Sequence, residues 1–340
     1  MDLITRIEGR AGRLTLNRPA ALNALTHAQC LATEAALLAW RDDPAVGLVI
    51  LDGAGERAFC SGGDIAQVAA AGRAGDFAMG RDFWRDEYRM NLLLAGYPKP
   101  IVSFMHGFVM GGGVGYGCHV AHRIVGESTQ MAMPECGIGL IPDVGGTWLL
   151  SRAPGQTGVY LALTAARMGP GDAIHAGFAD HFIPQAEWET VQARLCATGE
   201  VGTLPRHAAP QSPIMADQAR IDALFRGADV PAIMAVLADD DSVLAQAGLK
   251  AMRRNSPLSM ACTLAMLRPA PGSLRDALVQ EFRWTWRAMD RGDFLEGVRA
   301  QLVDKNRNPR WQHAAAAEVT TAEVSAMLAP LGADDWRETA

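Results

Sequence analysis

The stretch PIVSFMHGFVMGGGVGYGCHVAH, residues 100–122, contains no Asp, Glu, Lys or Arg, yet it carries six glycines and three histidines. A membrane-spanning helix needs about 20 mainly apolar residues, and this run is too interrupted to supply them. It divides instead into three pieces. Residues 101–105 are a short apolar run of strand-forming residues, hence a buried strand. Residues 106–113 form a glycine turn, and residues 114–120 a short buried helix. A strand that turns tightly into a helix is the elementary step of an α/β fold.

The same step recurs on either side. Upstream, residues 46–51 are an apolar strand ending at Asp52-Gly53, and the loop Glu56-Arg-Ala-Phe-Cys-Ser-Gly-Gly63 follows. Asp64 then stands where it can cap a short helix, and a longer helix is expected over residues 76–95. Residues 3–7 and 13–16 alternate around Gly9 and Gly12 as a hairpin. Thr26-His-Ala-Gln29 is a capping-box pattern that opens a helix to Trp40, with Leu31, Ala35 and Leu38 on one face. Downstream, residues 123–125 and 130–133 are short strands, and residues 134–146 are a loop with turn chemistry throughout. The alternation stops near residue 184.

Residues 199–214 read as a linker or long surface loop, and the remainder as helices. Ser273-Leu-Arg-Asp276 is a second capping-box pattern. Leu274, Leu278, Phe282, Trp286 and Met289 follow it at helical spacing. The expected organisation is a catalytic core over residues 1–198 with a helical C-terminal region, residues 199–340, packing on it.

With 49% hydrophobic and 20% charged residues among 340, the chain is globular rather than disordered. Its 31 basic and 37 acidic residues leave a net charge of −6, which speaks against nucleic-acid or anionic-membrane partners. The six cysteines are scattered without a CxxC pair, so neither a disulfide scaffold nor a zinc site is expected. The start, MDLITRIEGRAG, has no apolar or Arg/Ser-rich leader, and a cytoplasmic location is the expectation.

Several common sites are missing from the sequence. There is no GxxxxGK[ST], no HExxH and no GxSxG, and Gly111-Gly-Gly-Val-Gly115-Tyr-Gly117 fits GxGxxG in no register. Three features remain. Phe59-Cys-Ser-Gly-Gly63-Asp64 lets the backbone approach a ligand closely. Gly111-Gly-Gly113 opens a helix, where free N–H groups at the positive end of the dipole suit an oxyanion. Glu135 and Asp143 are two carboxylates in an otherwise uncharged stretch, and buried acids need a partner or a task. Each has a plain structural explanation alone: a glycine turn with an N-cap, a packing turn, and a salt-bridged Glu135 beside a capping Asp143. Together they supply two backbone donors for a carbonyl oxygen and a carboxylate to attack the carbonyl or activate water.

These motifs resemble the crotonase (enoyl-CoA hydratase/isomerase) superfamily. The matching residues are Leu16-Asn-Arg-Pro19, Leu22-Asn-Ala-Leu25, Ala58-Phe-Cys-Ser-Gly-Gly-Asp64, Lys99-Pro-Ile-Val102, His106-Gly107, Met110-Gly-Gly-Gly113 and Ile141-Pro-Asp-Val-Gly-Gly146. The resemblance implies a spiral of ββα units with two roughly perpendicular sheets, and acyl-CoA thioesters as ligands. It implies an oxyanion hole made by the Gly63 and Gly112 amides, with Gly62, Asp64 and Gly111 beside the substrate. Hydratases of the family carry a glutamate two residues after the glycine triplet, where this chain has Gly115. Glu135 with Asp143 is instead similar to the 3-hydroxyisobutyryl-CoA hydrolase subfamily. So are Glu87 in Arg85-Asp-Glu-Tyr88, Ser256-Pro257, Gly297-Val-Arg-Ala300 and Asp304-Lys305.

The resemblance implies hydrolysis of 3-hydroxyisobutyryl-CoA, with 3-hydroxypropionyl-CoA as a second substrate, and makes Glu135 the nucleophile or general base. Asp143 would bind the substrate hydroxyl, protonate the leaving thiolate or position water. Glu87 is a candidate contact to the polar acyl end; its bland alternative is a solvated helix face among Arg81, Asp82, Arg85 and Asp86. No metal or other cofactor is expected, CoA being part of the substrate, and a homo-oligomer is in keeping with the family. Two rival readings stand: a hydratase or isomerase of the same fold, and a non-catalytic acyl-CoA-binding protein. His106 is expected to make a structural hydrogen bond, and Cys60 and Cys136 to act as small apolar fillers.

Overall fold

The computed structural model describes residues 1–338 and resolves into two compact units. The first comprises Met1–Gly63, Asp86–Ala132 and Arg167–Met215; the second comprises Asp64–Arg85, Met133–Ala166 and the chain from Ala216 on.

The nine strands among the described residues all lie in the first unit. They are β1 Leu3–Glu8, β2 Ala11–Leu16, β3 Leu48–Gly53, β4 Ala58–Cys60, β5 Ile101–Met105, β6 Phe108–Met110, β7 His122–Val125, β8 Gln130–Ala132 and β9 His181–Phe182. One sheet runs β1-β2-β3-β5-β7-β9 and the other β4-β6-β8. Among the described strand pairs, β1–β2 is antiparallel and the rest are parallel. In chain order β3-β4, β5-β6 and β7-β8 each give one strand to the larger sheet and one to the smaller, and a helix or helical turn follows each pair. This is the expected ββα spiral. Strands β3 and β5 are apolar along almost their whole length because both faces are buried, as parallel strands usually are. Leu48, Ile50, Val102, Phe104 and Ile124 pack with Trp188, Val191 and Leu195 of the Trp188–Thr198 helix.

Strand β6 falls where the sequence reads as turn only. Its three residues are too few to show a period, and Gly107 and Gly111 at either end have positive φ. Pairing with β4 and β8, rather than local pattern, makes it a strand.

The His27–Trp40 helix begins with the expected capping box, Thr26 and Gln29 exchanging both bonds. Its buried face is not the expected one. Leu31 and Leu38 are exposed, whereas Cys30, Thr33, Leu37 and Trp40 are buried. Both faces are apolar, so periodicity could not choose between them. Tertiary partners decide: Thr33 meets the Tyr116 hydroxyl at 3.3 Å, and the Trp40 ring lies against Gly12 where a Cβ would sit.

The second unit is helical. Pro257–Leu267 is buried at nearly every position. In Leu274–Arg287, Ser273 accepts from the Asp276 amide at 3.1 Å, but the Asp276 carboxylate returns to the Ser273 hydroxyl rather than to its backbone. On that helix Trp284 is fully buried, while Trp286, expected on the core stripe, is half-buried with the Arg81 guanidinium 4.1 Å above its ring. The helix is covered on more than one side, so its strongest apolar stripe does not mark all of its core. No helix among the described residues is long and apolar enough to cross a membrane.

Candidate active site

In the first unit, residues 61–63 leave β4 and lie beside the start of the Gly112–Cys118 helix. Ser61 N–H donates to Leu22 C=O at 3.0 Å, and Leu25 N–H donates to Gly62 C=O at 2.8 Å. Asn23, fully buried, fixes the Leu22–Leu25 turn behind them. Its amide group donates to Ala54 C=O at 2.9 Å and Ala58 C=O at 2.8 Å, and its carbonyl accepts from Arg18 N–H at 2.9 Å. The Leu22-Asn-Ala-Leu25 motif therefore braces the loop that carries Gly63.

Gly62 has φ +110° and Gly111 has φ +47°, conformations that side-chain-bearing residues rarely adopt. A Cβ on Gly113 would collide with the Cys60 carbonyl, so the triplet lets the helix start approach β4. A Cβ on Gly112 would lie 3.0 Å from the Gly63 nitrogen and 2.8 Å from Glu87 Oε1. The Gly63 and Gly112 amides and the Glu87 carboxylate thus border one small space. Among the described residues neither amide donates a hydrogen bond within the protein. Both are available to a ligand oxygen, as an oxyanion hole requires.

Glu87 is only 2% exposed, so the solvated-face alternative does not hold. That role falls to its neighbours: Asp86 pairs with His27 at 2.6 Å, and Arg89 with Glu34 at 2.6 Å. One turn beyond Glu87, Asn91 is fully buried and neither atom of its amide has a protein partner.

In the second unit, Glu135 and Asp143 are each 4% exposed, as expected of functional acids. Glu135 opens a single helical turn, Glu135–Ile138, closed by Gly139 at φ +70°. The C-terminal motifs explain themselves at this turn. Ser256 N–H donates to Cys136 C=O at 2.9 Å, and the Ser256 hydroxyl donates to Asp293 at 2.6 Å. A Cβ on Gly297 would collide with the Ile138 carbonyl, and one on Gly139 with Asp293.

Asp143 sits in a tight turn in which Gly146 N–H donates to Asp143 C=O at 2.6 Å. The N-cap position of the following helix, Gly146–Arg152, is Gly145, so Asp143 is not the capping residue of the alternative reading. Val144 between them has φ +53°, a strained conformation for a β-branched residue. Sequence reasoning missed the group that holds this turn. Glu281, fully buried, accepts from Gly145 N–H at 2.7 Å, Thr147 N–H at 2.9 Å and the Thr147 hydroxyl at 2.5 Å. Burial pushes its carboxyl up to about 8, against the pull of the Thr147 and Gly145 bonds, and the charge of Asp143 adds to the rise. The available signal was an acid in a helix whose neighbours 278, 282 and 285 are all core residues.

Asp64 occupies the N-cap position of the Ile65–Arg73 helix, but its side chain makes no capping bond, contrary to the sequence reading. His106 is buried, its pKa lowered by burial, and it bonds the backbone of Gly55; this is the expected structural role. Burial pushes the Cys60 and Cys136 thiols up to about 12, which leaves them protonated fillers rather than nucleophiles.

Residues 11–328 match the family described as Enoyl-CoA hydratase/isomerase. The chain is 38% identical to the mitochondrial 3-hydroxyisobutyryl-CoA hydrolase of Gallus gallus, over 99% of this chain and 91% of that protein. Among solved structures, it superposes with TM-score 0.97 on one described as an enoyl-CoA hydratase from Rhodobacter sphaeroides, at 54% identity over 99% of this chain and 100% of that one. It superposes with TM-score 0.95 on one described as a carnitinyl-CoA dehydratase from Mycobacterium thermoresistibile, at 43% identity over 99% and 98%. The fold of these neighbours is the crotonase fold expected from the sequence.

Proposed function

Because the chain belongs to the enoyl-CoA hydratase/isomerase family, we propose that it hydrolyses 3-hydroxyisobutyryl-CoA to CoA and the free hydroxy acid, a step of valine catabolism. The observation that carries this reading is the pattern of acids. Glu135 and Asp143 are both buried, while Gly115 occupies the place of the hydratase glutamate. Hydration of a double bond by two catalytic carboxylates lacks one of them here.

The thioester carbonyl oxygen is held by the Gly63 and Gly112 amides, which stabilise the negative charge that develops on it. Glu135 supplies the attack. As nucleophile, its carboxylate oxygen bonds to the carbonyl carbon and the C–S bond breaks. CoA then leaves as a thiolate that takes up a proton, and water hydrolyses the resulting anhydride. As general base, Glu135 takes a proton from water, and the hydroxide oxygen forms the same bond. Asp143 protonates the leaving sulfur or holds the substrate hydroxyl, and Glu87 contacts the polar acyl end. Neither route calls on a metal or redox group.

A second reading, hydration, is favoured by the description of the Rhodobacter sphaeroides relative and opposed by Gly115. A purely binding role is opposed by the burial of two acids, which costs stability without benefit to a binder. The test is kcat/KM for thiol release from 3-hydroxyisobutyryl-, 3-hydroxypropionyl-, isobutyryl- and acetyl-CoA. The reading expects the two hydroxyacyl thioesters to lead. Equal rates for isobutyryl-CoA would remove the hydroxyl from substrate recognition.

A further inference from the structure

We propose that Glu281 is the positioning residue for Asp143, acting through the turn 143–147. The inference rests on the reading that Asp143 takes part in the reaction.

Glu281 lies in the middle of the Leu274–Arg287 helix and is fully buried. No Lys, Arg or His among the described residues lies within ion-pair distance of it. A buried acid without a cation is ordinarily unfavourable, and packing alone does not require one there. The neighbours Leu278, Phe282 and Trp284 show that this helix builds its core from apolar side chains. What Glu281 adds is three acceptor contacts, all directed to the residues that follow Asp143. Oε2 accepts from Gly145 N–H, and Oε1 accepts from both donors of Thr147.

These contacts clamp a strained element. Val144 is held at φ +53° and Gly145 at φ +78°. A β-branched residue persists in that region only where its surroundings over-determine it. Glu281 grips the chain immediately after Val144, at 145, and again at 147. Gly146 N–H also donates to the Asp143 carbonyl, so the backbone of Asp143 belongs to the clamped unit. If the clamp is released, Val144 can relax toward ordinary φ, and the Asp143 carboxylate is then re-aimed. The negative charge of Asp143 also contributes to the raised pKa of Glu281.

The test is a double-mutant cycle with Glu281→Gln and Asp143→Asn, joined to amide hydrogen exchange of the segment 142–147. Glutamine keeps the shape, but its nitrogen cannot accept, so a bond to the turn is lost. Thr147→Val removes a single donor and serves if Glu281→Gln does not fold. Trp284→Phe, a buried change on the same helix whose indole makes no hydrogen bond to the turn, controls for general destabilisation. For E281Q the expectation is a kcat lower by about tenfold or more, with KM within about twofold, as for a lost transition-state interaction. Exchange in 142–147 should rise. The double mutant should be no slower than D143N alone, because both changes disable the same group. W284F should lower Tm and leave kcat intact. A wild-type kcat in E281Q, or losses that simply multiply in the double mutant, would overturn the proposal even if exchange increases. Absence of any thiol release by the wild-type protein would instead defeat the hydrolase reading, and the positioning role would fall with it.

Discussion

Gly112→Ala probes the oxyanion hole directly. The added Cβ would stand 3.0 Å from the Gly63 nitrogen and 2.8 Å from Glu87 Oε1. An oxygen accepting from the Gly63 amide must sit about 2.7–3.1 Å from that nitrogen, so the methyl group competes for the same space. Loss of one such donor raises the barrier by about 2.7–4 kcal/mol, a fall of roughly 10²–10³ in rate. The backbone at 112 is helical, where alanine is tolerated, but the buried Glu87 side chain must shift to admit the methyl group, so a modest fall in Tm is expected beside the catalytic loss. Gly113→Ala is the contrasting variant. Its Cβ collides with the Cys60 carbonyl, a backbone atom that cannot swing aside, and it should lose folding rather than catalysis alone. The assay is thiol release under kcat/KM conditions, with Tm and CoA affinity measured on the same preparation. A folded Gly112→Ala protein with more than about a tenth of wild-type kcat/KM would refute the placement of the oxyanion hole.

Three further predictions concern the acids. Glu135→Ala should abolish hydrolysis while CoA affinity, measured by calorimetry, stays near wild type; more than about a tenth of kcat remaining would remove Glu135 from the central role. Asp143→Asn should lower kcat by ~10²-fold or more, the scale of a lost acid–base group, and an unchanged kcat would return Asp143 to a structural part. Burial pushes the Glu281 carboxyl up to about 8 from the ordinary glutamate value of 4.5, so the folded state holds its proton more tightly than the unfolded chain. Its contribution to stability is therefore full below about pH 4.5 and declines as pH rises toward about 8. Denaturant unfolding from pH 5 to 8 should show a steeper decline for wild type than for Glu281→Gln, and parallel curves would contradict the shift.

The α/β alternation was legible because the strands are short apolar runs separated by glycine turns, and the site motifs because glycines and isolated acids stand out; the spiral arrangement followed only from the family resemblance those motifs carry. Glu135 and Asp143 were visible as charges in an uncharged stretch, and both are buried. Glu87 could not be separated from its charged neighbours by pattern, since the helix places Asp86 and Arg89 outward and Glu87 inward. Strand β6 and the buried face of His27–Trp40 are set by long-range partners: β8 for one, Tyr116 and Gly12 for the other. Glu281 was hidden for the same reason. It lies 138 positions after Asp143 in the chain, and only the folded turn shows why an acid belongs in that helix. Ser256 and Gly297 were legible as family-like motifs, but their work behind the Glu135 turn required the structure.

The most direct test of the central claim is thiol release from 3-hydroxyisobutyryl-CoA, run beside loss of the enoyl absorbance of crotonyl-CoA with the same enzyme. The account predicts free CoA from the hydroxyacyl thioester and no hydration of crotonyl-CoA. Hydration without thiol release would contradict it, and would mean that another carboxylate does the work for which Gly115 has no side chain.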